Sequence, residues 1–480
     1  MHDATVAQAE PIEQIRSERF NNFIDSYALT AELNGQPYAL ENLSDTGAKL
    51  TSVSGSIVKG NVYPFKVLSS ENHVLFECQA EIVWLNESCD TYSFGIDFTD
   101  HILPRELLNS LDRLMLTEYE IEKELNAFDS IPEDFRLLVF EIENFFIHLK
   151  KHVDELEENY ETRNEESKAS LLDAMEVRFG NYVSDKLNHF GRRLYDYLDH
   201  LKDKQKAERY LNFFRNELNE FYLQSPYAKR AMEKPLGYAG DYEMMNQVYR
   251  NGYEGKNLFA KLIHRYTVNE AAAISVRERK AYLAQKINAC IQECQSKVIS
   301  IASVACGPAQ EWGEFFNTYT LPEDAQLEIV LIDQDKEALL EARRNASSAV
   351  RASGMTKQVK VRCEPVAVKD ILERNPEALA LLSSGFDMVY SAGLYDYLPG
   401  PIAKSLTKIL TKALKPSGQL IIGNFHPSSS TRAICEFSVD WRLIYRTEEE
   451  VVELGSELEG FEIESEVDSQ SIVVYLLIQN

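Results

Sequence analysis

Basic side chains are scarce in this 480-residue chain. Fifty lysines and arginines stand against 76 aspartates and glutamates, a formal net charge of -26. A surface of that sign repels nucleic acid and anionic membranes over a Debye length, which excludes bulk capture of either. It leaves room for one local basic pocket. Long apolar runs are also missing. No stretch reaches the ~20 residues that a membrane-spanning helix needs. Met1 to Gln14 carry Asp3, Glu10 and Glu13 and no apolar signal-peptide core. The expectation is a cytoplasmic protein with no membrane span.

Cysteine is sparse as well. Seven are present, an odd number at scattered positions, which argues against a disulfide scaffold in a chain this long. Cys290 and Cys294 form a C-x3-C pair, but no second pair or nearby histidine completes a zinc set. His148 and His152 stand four apart with no third ligand placed beside them, and read as a polar helix face. No metal and no internal repeat are expected.

What is present is ample core material: 44% hydrophobic and 10% aromatic residues. At this length about three domains are expected. Residues 1–103 read as β. Tyr27 to Leu33 alternates and meets Asn34-Gly35, a hairpin signal, and further β-rich runs follow at Val74–Trp84 and Tyr92–Phe98. Short strands with regular turns predict a small β-barrel. Residues 104–290 carry leucines and tyrosines at helical spacing, as at Leu194, Tyr197, Leu198 and Leu201, and predict a helical domain or lid. Residues 291–480 alternate strand and helix, with strands at Val298–Val304, Leu327–Ile332, Val359–Cys363, Phe386–Tyr390 and Gly418–Gly423. That alternation predicts an α/β Rossmann-like domain with ligands at the strand C-termini.

Ser303-Val-Ala-Cys-Gly-Pro-Ala309 follows the first of these strands. Ala305, Gly307 and Ala309 are small at alternating positions, so a ligand can approach the backbone. The second strand ends in Asp333, 26 residues after Gly307. A carboxylate there can accept hydrogen bonds from both hydroxyls of an adenosine ribose. Asp387 to Leu394, then Lys415-Pro-Ser-Gly418, complete the pattern.

These three places resemble class I methyltransferases, which implies S-adenosylmethionine as cofactor. The resemblance places Ser303, Ala305, Gly307, Asp333 and Ser391 around it, with Ala392 bordering the site. A narrower set comprises Lys234-Pro-Leu-Gly-Tyr-Ala-Gly-Asp-Tyr-Glu-Met-Met245, Ala273-Ile-Ser-Val-Arg-Glu-Arg-Lys-Ala-Tyr-Leu283, Tyr390 to Leu398 and Asp440 to Thr447. It resembles the bacterial 3-hydroxypalmitate methyl ester biosynthesis methyltransferases. That implies a small or lipid-like acceptor methylated on a carboxylate.

The β-rich head resembles a PilZ domain, the receptor module for cyclic di-GMP. Asn42-Leu-Ser-Asp-Thr-Gly47 fits its Asn-x-Ser-x-x-Gly pattern, and Arg16-Ser-Glu-Arg19 stands where the family has Arg-x-x-x-Arg. The implied nucleotide contacts are Arg16, Arg19, Asn42, Ser44 and Gly47.

Several roles stay open between two readings. Tyr238 and Asp241 are candidate catalytic residues in a closing loop, or parts of a tight interhelical turn. Arg277 pairs with a carboxylate of cofactor or acceptor, or forms a surface ion pair. Tyr395 and Tyr397 line the acceptor pocket, or pack in the core. His426 is the candidate base for an acceptor that is not already ionised. At the level of function, an enzyme regulated by its head is set against a cyclic di-GMP-responsive adaptor. The adaptor uses the methyltransferase fold as a binding platform and requires an occluded acceptor pocket.

Overall fold

The computed structural model describes residues 29–480, apart from 53–56, 70–71, 89–90, 158–159, 161–162 and scattered positions between 105 and 129. The chain divides into two compact units after Ser130.

The first unit holds six antiparallel strands: β1 (Thr30–Leu33), β2 (Gln36–Leu43), β3 (Gly47–Ser52), β4 (Val62–Leu68), β5 (Val74–Ser88) and β6 (Thr91–Phe98). Their order is β1-β2-β3-β6-β5-β4, and β1 pairs with β4. The barrel is therefore closed and leaves no strand edge unpaired. Asn34 and Gly35 take φ of 49° and 73°, the two left-handed residues that a tight hairpin between right-twisted strands requires. Alternation sends Tyr38, Leu40, Phe65, Val67, Phe94 and Ile96 inward. Tyr38 meets Phe94 edge-on at 5.3 Å.

The second unit is built on a seven-stranded sheet: β7 (Val298–Val304), β8 (Gln326–Ile332), β9 (Val359–Glu364), β10 (Phe386–Ser391), β11 (Leu414–Phe425), β12 (Glu462–Val467) and β13 (Val473–Gln479). The order is β12-β13-β11-β10-β7-β8-β9. β7 to β11 are parallel, and β13 is antiparallel to β11 and to β12. β12 and β13 extend the five strands read from the sequence. The chain begins in mid-sheet, runs out to β9, then crosses back to β10. Order reverses between β7 and β10, and a crevice opens at their C-terminal ends.

Both sheet faces are covered, so its strands read as almost unbroken apolar runs. Ile299 and Ile301 pack on one face with Trp312 and Phe315 of the helix Glu311–Thr318. Ala302 and Val304 pack on the other with Leu406 and Leu410 of the helix Gly400–Thr411.

The helices from 131 to 293 belong to this same unit. The helix Ala271–Glu293 places Leu283, Ala284 and Ile287 in the core beneath the sheet. Arg215 donates to the carbonyls of Glu436 and Phe437 at 3.2 and 2.9 Å, satisfying groups that the end of the helix Arg432–Val439 leaves open. The helices from residue 131 onward and the sheet thus lie in one compact unit. Among the described residues no helix is long and apolar enough to cross a membrane.

Candidate active site

The turn after β7 is the floor of the crevice. Ala305, Gly307 and Ala309 all take left-handed φ, at 55°, 51° and 50°. For the two alanines this conformation costs about 1–2 kcal/mol each. At Gly307 a Cβ would meet nothing within 4 Å, so that backbone is uncovered on the crevice side. Asp333, just past β8, is 8% exposed. Its Oδ2 accepts from Gly307 N and its Oδ1 from Asp335 N, both at 3.0 Å. Burial raises its pKa, and the backbone N–H groups of Asp335 and Gly307 oppose that shift. The Gln334 N–H opposes it as well, and the carboxylate keeps acceptor capacity beyond these donors. Ser303, Ala305, Gly307, Asp333 and Tyr238 all line this cavity of about 340 Å3.

A second cavity, of about 90 Å3, adjoins the first. The two share Gly240, Met245, Arg279, Gly393 and Tyr397 as walls. The second is largely apolar, with Tyr227, Phe425, Trp441 and Tyr445 among its lining. The loop Gly237–Asp241 is fastened to this wall. Tyr397 Oη donates to Ala239 O at 2.7 Å and accepts from Trp441 Nε1 at 3.0 Å. A Cβ at Gly240, where φ is 79°, would lie 2.7 Å from both Tyr397 Oη and the Trp441 ring. Only glycine fits there.

The candidate catalytic side chains do not converge. Tyr238 reaches the crevice, but burial and the nearby charges of Asp333, Asp335 and Asp241 push its pKa to about 12. Asp241 is 1% exposed and caps the helix Tyr242–Arg250, accepting from Met244 N at 3.0 Å. Arg230 Nε donates to both of its oxygens at 2.8 Å. That carboxylate anchors the loop and lines neither cavity. His426 also lies outside both. Its Nδ1 pairs with Ser428 Oγ at 2.7 Å and its Nε2 with Glu448 at 3.1 Å.

Two expected cofactor contacts are engaged in holding the fold. Arg277 donates to Val268 O at 2.5 Å, Asn269 Oδ1 at 2.9 Å and Val248 O at 3.3 Å, tying helix ends together away from the crevice. Ser391 is fully buried and donates to Val304 O at 2.9 Å, joining β10 to β7. Tyr395 is also fully buried, with its hydroxyl paired to Thr407 Oγ1 at 3.1 Å. Of the two tyrosines, only Tyr397 lines a cavity.

The residue that sequence reasoning missed is Arg279. It lies two positions beyond Arg277, about 200° around the same helix, and so faces the opposite way. Arg279 lines both cavities and donates to Ala392 O. The signal was present in the Arg-Glu-Arg spacing; choosing between the arginines needed the helix's orientation.

In the barrel, Ser44 Oγ accepts from Gly47 N at 3.1 Å and donates to Gly47 O at 3.0 Å. A Cβ at Gly47 would lie 2.3 Å from Ile96 O, so the glycine is required by strand packing. Asn42 is half-buried on β2. Arg16 and Arg19 lie outside the described residues.

Residues 234–477 match the model of a family described as "Putative methyltransferase". That span is just over half the chain and holds both the Gly237–Asp241 loop and the sheet. The chain belongs to this methyltransferase family.

Among solved structures, the methyltransferase is similar to a protein from Bordetella parapertussis, at 18% identity and TM-score 0.37, over 60% of this chain and 87% of that one. It is similar to magnesium protoporphyrin IX methyltransferase from Synechocystis with bound S-adenosylhomocysteine, at 12% identity and TM-score 0.34, over 53% and 99%. It is also similar to the N-methyltransferase NodS from Bradyrhizobium japonicum in complex with S-adenosylhomocysteine, at 12% identity and TM-score 0.28, over 44% and 89%. No curated protein matches it significantly.

Proposed function

We propose that the methyltransferase binds S-adenosylmethionine in the larger cavity and methylates a carboxylate of a small, largely apolar acceptor in the smaller one. The observation that carries this reading is the shared wall at Arg279, Gly393 and Tyr397. It lets a donor and an acceptor meet while each keeps its own chamber. Bound S-adenosylmethionine supplies an already activated methyl group, so positioning supplies most of the catalysis.

The chain's own residues fit that cofactor. Asp333 keeps acceptor capacity for a ribose hydroxyl, and the uncovered backbone at Gly307 admits the methionine portion. Arg279 presents a cation for the methionine carboxylate. None of the three bases named from the sequence stands at the shared wall. Tyr238 is held protonated, Asp241 is locked by Arg230, and His426 is elsewhere. An acceptor already ionised at neutral pH needs none, which favours a carboxylate over a hydroxyl or amine. The fatty-acid-like acceptor implied by the sequence resemblance shares that carboxylate.

An adaptor without turnover predicts a plugged acceptor chamber, and the open second cavity supports the enzyme. For the barrel we propose cyclic di-GMP as ligand, on the sequence resemblance and the Ser44–Gly47 turn. Titrating the full chain and its Arg16→Ala variant with the dinucleotide tests that role: no binding by the full chain removes it, and equal binding by both removes the Arg16 contact alone.

Methyl-labelled S-adenosylmethionine offered with a panel of short carboxylic acids tests the main reading. Label in a base-labile ester is expected. Label in a base-stable ether or amine would defeat it.

A further inference from the structure

The acceptor cavity has a mostly apolar wall, seven tyrosine, phenylalanine and tryptophan side chains among it, and a buried carboxyl in that wall stands out. Glu270 lines it from the N-cap position of the helix Ala271–Glu293, and its carboxylate makes no hydrogen bond to that helix's own N–H groups. It accepts from the Tyr266 hydroxyl instead. Tyr222 lines the same cavity and is 1% exposed, and its hydroxyl has no partner. The two groups are near enough for the charge on Glu270 to raise the pKa of Tyr222.

Among the described residues, Arg279 is the only cation lining this cavity. It lies nine residues further along the same helix, about 13 Å of helical rise from Glu270. The arginine therefore leaves the carboxyl unneutralised, and burial pushes Glu270 up to about 7. Buried polar groups in native folds are almost always paired. Here a carboxyl with one partner and a hydroxyl with none share one cavity, and a ligand donor would complete both.

We propose that Glu270 and Tyr222 recognise a hydrogen-bond donor, a hydroxyl or an amine, on the part of the acceptor remote from the methyl-accepting group. This rests on the carboxylate-acceptor reading above and adds a second recognition point to it. Glu270 lines only the acceptor cavity and not the cofactor crevice, so it acts in selection and takes no proton from the reacting group. A site built to hydrogen-bond a polar group rejects the analogue lacking it, because its own buried groups are then left unpaired.

Three probes test this: 3-phenylpropanoic acid and its para-hydroxy and para-aminomethyl forms. Binding is read by calorimetry on the full chain saturated with S-adenosylhomocysteine, and turnover with labelled S-adenosylmethionine. One para-substituted acid is expected to bind at least about tenfold tighter than the unsubstituted acid. Which of the two does so separates hydroxyl from amine recognition. Glu270→Gln and Tyr222→Phe, each checked by thermal melting, are expected to erase that preference while binding of 3-phenylpropanoate stays within about twofold.

Equal binding of all three acids, binding of none, or a preference that survives both substitutions overturns the proposal. Ester formation without any preference removes the recognition point alone and leaves the carboxylate reading standing. Methyl transfer to the phenol or amine overturns both.

Discussion

The backbone N–H of Gly307 donates to the carboxylate of Asp333 at 3.0 Å. One side chain thus fastens the turn after β7 to the tip of β8. On the proposed binding mode, the carboxylate that would take the ribose also holds still the backbone that would take the methionine portion.

Gly307→Ala probes that turn. With φ at 51° and open space beyond the missing Cβ, alanine should cost about 1–2 kcal/mol in urea unfolding. The new methyl group enters the crevice. Affinity for S-adenosylhomocysteine, read by calorimetry, should therefore fall by more than the stability loss accounts for.

Asp241 separates an anchoring role from a catalytic one. Asp241→Ala removes a helix cap and leaves Arg230 unpaired, an expected loss of about 2–3 kcal/mol. Asp241→Asn keeps the cap and should lose roughly half as much. Urea midpoints check this order. A catalytic carboxylate would show the opposite pattern, with turnover abolished at unchanged stability in both variants.

His426→Ala should leave turnover within about twofold of the parent enzyme, since the imidazole is held by Ser428 and Glu448 outside both cavities. Initial rates at neutral pH are sufficient to check it.

Much of this arrangement is legible in the chain. The Asn34-Gly35 signal and the alternation around it give the barrel's first hairpin, and the apolar runs at β7 and β8 give the sheet, because strand patterning and turn chemistry are local. The small-residue turn and the following Asp333 mark the crevice for the same reason. Side-chain commitments are not local. Asp241 is claimed by Arg230, eleven residues away, and His426 by Glu448, 22 residues away. Glu270 and Tyr222 come to line one cavity only because several helices close around it. Arg277 and Arg279 differ only in the face of one helix they occupy, which spacing states but does not orient.

Glu270 should leave a mark on the pH dependence of stability. Burial lifts its pKa from 4.5 to about 7, so between those values the folded chain holds a proton that the unfolded chain has released. Its contribution to stability is fully present below the lower value and declines as pH rises through the window. Glu270→Gln removes that decline. The variant should gain on the parent as pH rises from 5 to 8, and urea midpoints at the two pH values report the difference.

The account stands on Asp333 gripping the cofactor. Calorimetric titration of the full chain and of Asp333→Ala with S-adenosylhomocysteine examines that grip. Micromolar binding by the parent and a loss of at least about tenfold in the variant are predicted. Equal affinities for the two proteins, or no binding by the parent, would contradict it.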